Sequence, residues 1–191
     1  MAISQQTKAL PFIRQPANPS DKYELVFGDS RIVRDPLQGR DVTVYRIRAL
    51  RNVGMHAIKG DLGGYVQTMA NLSHEGDCWL AGDACAIGRS RIWGSAWVGG
   101  NAQLRDEAWA FEHAYIEGHC ALSGCARVFG HARVSGLAAV SGNALVSGHA
   151  MICDQAHIVE QCWIGGQARI GGDAWCAGSQ ILNGNEWRQA S

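Results

Sequence analysis

Three histidines recur at an interval of eighteen residues, at His113, His131 and His149. Imidazole is a common general base and transition-metal ligand, so a regular column of histidines could transfer protons or bind a metal. A metal site would also need a convergent third ligand, and no carboxylate recurs beside this column. We therefore predict no metal site, and we keep His113, His131 and His149 as the candidates for a catalytic base.

Aromatic and arginine side chains recur at the same interval. The first such set is Trp79, Trp97, Tyr115 and Arg133. The second set is Trp93, Trp109, Phe111, Arg127, Phe129, Leu145, Trp163 and Ile181. Tryptophan, tyrosine and arginine dominate binding hot spots, and arginine also stacks on aromatic faces. We predict that the first set binds a protein partner or an aromatic ligand. The second set would expose a wide apolar patch, so we predict a homo-oligomer interface, in a dimer or a trimer.

The interval of eighteen is three times a shorter repeat of six residues. Eighteen hexads run from Gly76 to Asn183 without an insertion or deletion, and glycine opens fourteen of them. Acidic residues open the other four, at Asp106, Glu112, Asp154 and Glu160. The third position is small in seventeen hexads, and the fifth is Leu, Ile or Val in fifteen. A helical pattern would repeat at about 3.6 residues instead.

A six-residue repeat of this kind predicts an all-β chain wound into a triangular β-helix. Each hexad would supply one short strand and one corner, with the fifth residue pointing inward and the third filling the corner. Glycine in the corner tolerates a positive φ. Three hexads then make one coil, so the eighteen hexads predict about six coils stacked roughly 4.8 Å apart. Asn, Asp and His also tolerate positive φ, which gives the histidine column a structural explanation.

The repeat resembles that of a known fold family. An aliphatic residue followed four later by a small one, as in Val98 to Ala102 and Val146 to Ala150, is similar to the hexapeptide repeat of left-handed β-helix proteins. That family includes trimeric acyltransferases and γ-class carbonic anhydrases, although the histidine spacings here do not match the latter. The segments Gly63 to Val66 and Gly76 to Trp79 lie where the N-terminal segment joins the repeat. They resemble the same junction in YdcK-like proteins. The resemblance implies a left-handed helix and a transferase of unassigned substrate.

The ends of the chain lack the repeat. Residues 1–22 are polar and proline-rich, which indicates a flexible or partner-docking arm, and residues 23–75 alternate like strands. We predict that residues 23–75 form a small N-terminal β cap over the open edge of the first coil, and that residues 76–183 form the β-helix. Residues 184–191 are expected to be a C-terminal tail. A second interpretation makes Arg46, Arg48 and Arg51 an anion or partner site.

The composition of the chain narrows the classes of function that we expect. Seventeen basic and seventeen acidic side chains cancel, which argues against nucleic acid as a partner, and the longest apolar run is too short to cross a membrane. Seven cysteines scattered along the chain indicate free thiols and a cytoplasmic location. We expect a non-catalytic binding or scaffold protein without a cofactor. The alternatives are an acyltransferase that uses acetyl-CoA or another acyl-CoA with an interfacial histidine base, and a phage or host defence-interfering protein.

Overall fold

The computed structural model describes residues 21–35, 39–185 and 187–190. The predictions for most of the N-terminal arm, for residues 36–38 of the cap and for residues 186 and 191 of the tail lie outside these ranges. The described residues form twenty-two β-strands and one three-residue 3₁₀ turn, Met69–Asn71. Within those ranges, therefore, no helix could cross a membrane.

The strands follow one another closely along the chain. In order they are β1 (Tyr23–Asp35), β2 (Arg40–Ala49), β3 (Leu62–Val66), β4 (Trp79–Leu80), β5 (Cys85–Ala86), β6 (Arg91–Ile92), β7 (Trp97–Val98), β8 (Gln103–Leu104), β9 (Trp109–Ala110), β10 (Tyr115–Ile116), β11 (Ala121–Leu122), β12 (Arg127–Val128), β13 (Arg133–Val134), β14 (Ala139–Val140), β15 (Leu145–Val146), β16 (Met151–Ile152), β17 (His157–Ile158), β18 (Trp163–Gly166), β19 (Arg169–Gly172), β20 (Trp175–Cys176), β21 (Ile181–Gly184) and β22 (Trp187–Ala190).

From β4 onward the chain is a parallel β-helix with three flat sides. Each strand pairs with the strand eighteen residues further on, as Tyr115 pairs with Arg133 and Leu145 with Trp163. The sides are a nine-stranded sheet that begins β1-β2-β3-β5, a seven-stranded sheet from β4 to β22, and a six-stranded sheet from β6 to β21. Every third strand therefore lies on the same side, and the all-β, β-helical prediction is confirmed.

The interior of the helix follows the hexad pattern. All eighteen fifth positions, from Leu80 to Leu182, are buried, and Val134, Val140 and Val146 have no exposed surface. The third positions are buried as well, apart from Gln180, which is the one large residue among them. One coil alone could not bury these residues, because it is only a single strand thick. The stacking of successive coils, rather than a second layer, buries them.

The helix is longer than the eighteen hexads predict, because parallel pairing continues beyond both ends. At the C-terminal end β22 pairs with β19, and Trp187 lies opposite Arg169, so part of the expected tail is a strand. At the other end β3 pairs with β5, and Leu72 lies opposite Ile92. The spacing at this end is twenty residues rather than eighteen, because two extra residues lie between Leu72, which is opposite Ile92, and Trp79, which is opposite Trp97. Seven strands in the seven-stranded sheet make about seven turns.

The four acidic corner residues adopt the backbone conformation of the glycines they replace. Their φ angles lie between 57° and 59°. Each carboxylate accepts a hydrogen bond from the corner N–H one coil further on: Asp106 from Gly124 (2.8 Å), Glu112 from Gly130 (2.9 Å), Asp154 from Gly172 (2.8 Å) and Glu160 from Gly178 (2.7 Å). The Gly172 bond, together with one from the Cys153 thiol, lowers the pKa of Asp154. A carboxylate thus compensates for the strain of a side chain at positive φ.

The N-terminal segment covers the first coil as a β hairpin. Strands β1 and β2 pair antiparallel, and β2 pairs antiparallel with β3, which then joins the helix in parallel. Val42 and Val44 of β2 pack in a buried cluster with Tyr65, Cys85 and Ile87 of the nine-stranded sheet. The hairpin therefore extends this sheet and also covers the first outward residues on it.

The cap also satisfies the main-chain carbonyls along the open edge of the first coil. Eight such carbonyls accept hydrogen bonds from three side chains and three backbone N–H groups. The pairs are Lys22 with Gly76 and Cys78, Arg46 with Gly82, Tyr65 N with Ala84, Gln67 N with Ala86, Asn71 with Gly88 and Ser90, and Ser73 N with Ile92. One side-chain donor thus lies at each corner of the first coil, where the cap has no strand to supply a backbone N–H.

Lys22 is the most buried of these donors. Its ammonium lies 2.7 Å from the Cys78 carbonyl oxygen and 3.1 Å from the Cys78 sulfur, and 3.4 Å from the carbonyl oxygens of Glu75 and Gly76. Burial lowers the pKa of Lys22, and the neighbouring Cys78 opposes this effect. The sequence assigned Lys22 to the arm, whereas it is a fully buried part of the cap.

All seven cysteines are described, and all are free thiols. Five of them are buried, and four of these take the place of an alanine or valine inside the helix. Burial raises the pKa of Cys120 to about 11, so this thiol stays protonated at neutral pH.

We predict that Lys22→Met lowers the free energy of unfolding by about 2 kcal/mol, because the carbonyls at one corner lose a charged donor. Urea denaturation would measure the change. Lys59→Met is the matched control, since Lys59 is exposed, and should change stability by less than about 0.5 kcal/mol. Equal unfolding midpoints for the two variants would contradict the role of Lys22 in the cap.

A second prediction concerns the corner at Gly100, where φ is 66°. A Cβ atom there would lie 2.7 Å from the Gly118 carbonyl oxygen, so Gly100→Ala should cost about 2 kcal/mol or more. Gly100→Asp should cost about 1 kcal/mol less than Gly100→Ala, since its carboxylate can accept the Gly118 N–H as Asp106 accepts that of Gly124. Thermal unfolding compares them, and an aspartate variant no more stable than the alanine variant would refute this explanation.

Candidate functional site

The histidine column, His113, His131 and His149, lies along one edge of the seven-stranded sheet. Its rings stack in parallel, with centroids 4.8 Å apart between His113 and His131 and 5.0 Å apart between His131 and His149. All three side chains are exposed. Stacking covers the faces of the rings, so the edges that carry the nitrogen atoms point away from the stack.

This geometry does not favour metal binding or base catalysis by the column alone. Parallel rings about 5 Å apart cannot direct their nitrogens at one ion about 2 Å from each. Among the described residues no group of three His, Cys, Asp or Glu side chains could hold a metal. Within the same ranges no carboxylate is hydrogen bonded to His113, His131 or His149, so no group fixes the tautomer of a catalytic base.

The aromatic–arginine column, Trp97, Tyr115 and Arg133, runs beside the histidines on the same sheet. The rings of Trp97 and Tyr115 stack 4.6 Å apart, and the Arg133 guanidinium lies 5.7 Å from the Tyr115 ring centre. Tyr115 donates a 3.0 Å hydrogen bond to Glu117; burial and then this bond raise the pKa of Tyr115. The indole of Trp97 lies over Gly99, where a Cβ would clash with the ring. The faces of both rings are thus engaged within the protein.

Trp79 was expected to begin this column on the surface, but it is 1 % exposed. It belongs to the main buried cluster together with Val53 and Ala57 of the cap. The loop that carries Val53 passes close to the first coil, since a Cβ on Gly54 would lie 3.1 Å from the Asp77 side chain. Trp79 therefore anchors the cap and cannot contact a partner.

A groove joins the histidine column to the aromatic–arginine column near the C-terminal end of the sheet. It encloses about 360 Å³ and is lined by His131, Arg133, His149, Met151, Gln167 and Arg169. Sequence reasoning placed His131 and His149 in one column and Arg133 in another, and it did not join the two. The signal was present in the repeat, because second and fourth positions of one hexad lie side by side, as His131 and Arg133 do.

The aromatic face lies on the six-stranded sheet and comprises Trp93, Trp109, Phe111, Arg127, Phe129, Leu145, Trp163 and Ile181. Trp93, Phe111 and Phe129 stack in parallel, with centroids 4.5 Å and 4.9 Å apart. Trp109 meets Trp93 edge-on at 5.2 Å, and the Arg127 guanidinium lies 4.5 Å above Trp109. At the far end Trp163 is 40 % exposed and Ile181 is 63 % exposed. The predicted interface residues thus form one continuous surface.

A second groove, of about 650 Å³, lies where the aromatic face meets the cap. Asn71, Ser90, Arg91, Trp93 and Trp109 are among its lining residues. The Asn71 amide is already engaged by the carbonyls of Gly88 and Ser90. This groove presents two tryptophans and Arg91, together with Arg89, whose guanidinium pairs with Glu107 at 3.1 Å.

The three arginines of the cap do not form the anion site that the sequence left open. Each is engaged within the chain: Arg46 with Asp29 and Asp83 at 3.0 Å and 3.3 Å, Arg48 with Glu24 at 3.2 Å, and Arg51 with the His74 carbonyl at 3.3 Å. Arg46 and Arg31 also lie over the Tyr65 ring, at 4.3 Å and 3.9 Å from its centre. These contacts hold the hairpin on the first coil.

Comparison with known proteins adds no family to this description. No family profile matches the chain, and no curated protein sequence matches it at a significant level.

Proposed function

We propose that this protein is a rigid, non-catalytic β-helical scaffold that self-associates through the aromatic face and docks a protein partner through the aromatic–arginine column. The observation that carries the proposal is the continuous aromatic face on a side of the helix that the cap leaves open. Seven free thiols suit a reducing compartment, so we assign the protein to the cytoplasm as part of this proposal.

Self-association is supported by the nature of the aromatic face. Trp163 and Ile181 expose 40 % and 63 % of their surface, next to a stack of half-buried rings. Soluble monomers rarely leave a contiguous apolar surface of this kind in water. A flat sheet is also self-complementary in shape, which suits a symmetric contact between two copies of one chain. A second copy is therefore the occupant that we propose for the aromatic face.

A separate partner is supported by the aromatic–arginine column. Tyr115 is half-buried and Arg133 is exposed, and within the described part of the chain Arg133 has no ion-pair partner. Tyrosine and arginine with fixed geometry lose little entropy on binding, which makes them effective anchors. We propose that these two side chains, with the edge of Trp97, contact a protein.

Acyl transfer, with acyl-CoA as donor, is the alternative. It would require a second subunit to supply the group that orients His113, His131 or His149, because no such group is bonded to them within the described chain. The scaffold function is preferred since it needs only residues that are already in place.

We predict that Trp163→Glu combined with Ile181→Glu converts an oligomer into a monomer of about 20.6 kDa, because two charges would be buried in the interface. Light scattering measures the mass. Trp175→Glu is the matched control, since Trp175 is 63 % exposed on a different side, and it should keep the wild-type mass. A wild-type protein that is already monomeric would refute self-association.

We also predict that Tyr115→Ala abolishes capture of the partner in an affinity purification, because it removes the central ring of the aromatic–arginine column. Trp175→Ala removes an exposed ring from another side and should leave capture unchanged. Equal capture by the wild type and both variants would exclude the aromatic–arginine column as the docking site.

A further inference from the structure

We propose that the groove between the histidine column and the aromatic–arginine column binds a multiply charged anion of the phosphate class. Its lining residues are His131, Arg133, His149, Met151, Gln167 and Arg169. This site shares Arg133 with the proposed docking surface, but it does not depend on the scaffold function, because a small anion needs neither a second copy nor a protein partner.

The first argument comes from the two arginines. Arg133 and Arg169 pair with either side of Met151 in the seven-stranded sheet, so their backbones are about 10 Å apart, two strand spacings. Neither guanidinium takes part in an ion pair within the described ranges, whereas several other arginines do: Arg31, Arg34, Arg46, Arg48 and Arg89. Long side chains on either side of one residue can converge on an anion, and guanidinium matches phosphate oxygens in bidentate geometry.

The second argument comes from the histidines. The rings of His131 and His149 are 5.0 Å apart, and neither is hydrogen bonded within the described chain, so their nitrogens are free to donate. A ligand with two or more negative charges would also offset the repulsion between the two guanidiniums. A singly charged carboxylate would do so less well.

The surrounding charges agree with this assignment. Among the described residues no carboxylate lines the groove. Three carboxylates are hydrogen bonded on neighbouring parts of the helix: Glu112 accepts the Gly130 N–H, Glu117 accepts the Tyr115 hydroxyl, and Asp154 accepts the Gly172 N–H. Arg133 and Arg169 are thus the charged side chains that line the groove itself, and they favour an anion there. Gln167 adds an amide donor, and Met151 forms an apolar floor between the arginines.

Titration calorimetry with inorganic diphosphate, at constant ionic strength, tests the proposal. We expect saturable binding with one site per chain, and at least about a tenfold loss of affinity for Arg133→Gln combined with Arg169→Gln. The matched control is Arg91→Gln combined with Arg105→Gln, which removes the same charge from the other two sides of the helix. This control should bind diphosphate within about twofold of the wild type. A circular dichroism melt checks that both double variants are folded.

A second arm uses the histidines. His131→Ala combined with His149→Ala should weaken diphosphate binding at least about threefold at one fixed pH, because two ring donors are lost, while His119→Ala should not weaken it. Equal losses for the two arginine double variants would show an unspecific charge effect and overturn the proposal. Absence of wild-type binding at about 10 mM diphosphate would overturn it too. Neither result bears on the mass of the oligomer or on capture of a protein partner.

Discussion

The unpaired main chain at the edge of a coil is the constraint on which the rest of this structure depends. Inside the helix each coil satisfies the next, but the first coil presents a row of carbonyls with nothing below it. The N-terminal segment supplies backbone N–H groups where its own strands run, and side chains at the three corners. The burial of Lys22 and Trp79 and the engagement of Arg46 follow from closing this edge.

On the outside, stacking determines which part of a side chain is available. Columns repeat at one strand spacing, so planar side chains stack face to face and leave only their edges in contact with solvent. For Phe111 or Trp93 an edge is apolar surface, which favours association with another protein surface. For His131 an edge carries the nitrogen atoms, which can bind an anion. The same geometry therefore gives the two exposed sides different properties.

The repeat made the interior predictable from the sequence, because the fifth and third hexad positions have one environment in every coil. The 18-residue interval likewise predicted that His113, His131 and His149 would stack. The cap was not predictable in the same detail, since its contacts occur once and have no period. In the sequence Lys22 looks like an arm residue and Trp79 like a surface aromatic, because the contacts that bury them come from residues far away along the chain. The groove was found only when both neighbouring columns were considered together, with the finding that Arg133 and Arg169 form no ion pair among the described residues.

Each coil contains eighteen residues, and this number also limits how the chain can change in length. Removing one whole coil would shorten the rod by about 4.8 Å and leave every outer column continuous, because each residue above the cut would meet a neighbour of the same side. Removing a single hexad would keep the branched aliphatics inside but turn everything above it by one third of a revolution. The aromatic face and the histidine column would then be interrupted. Insertions and deletions in such a protein should therefore comprise whole turns.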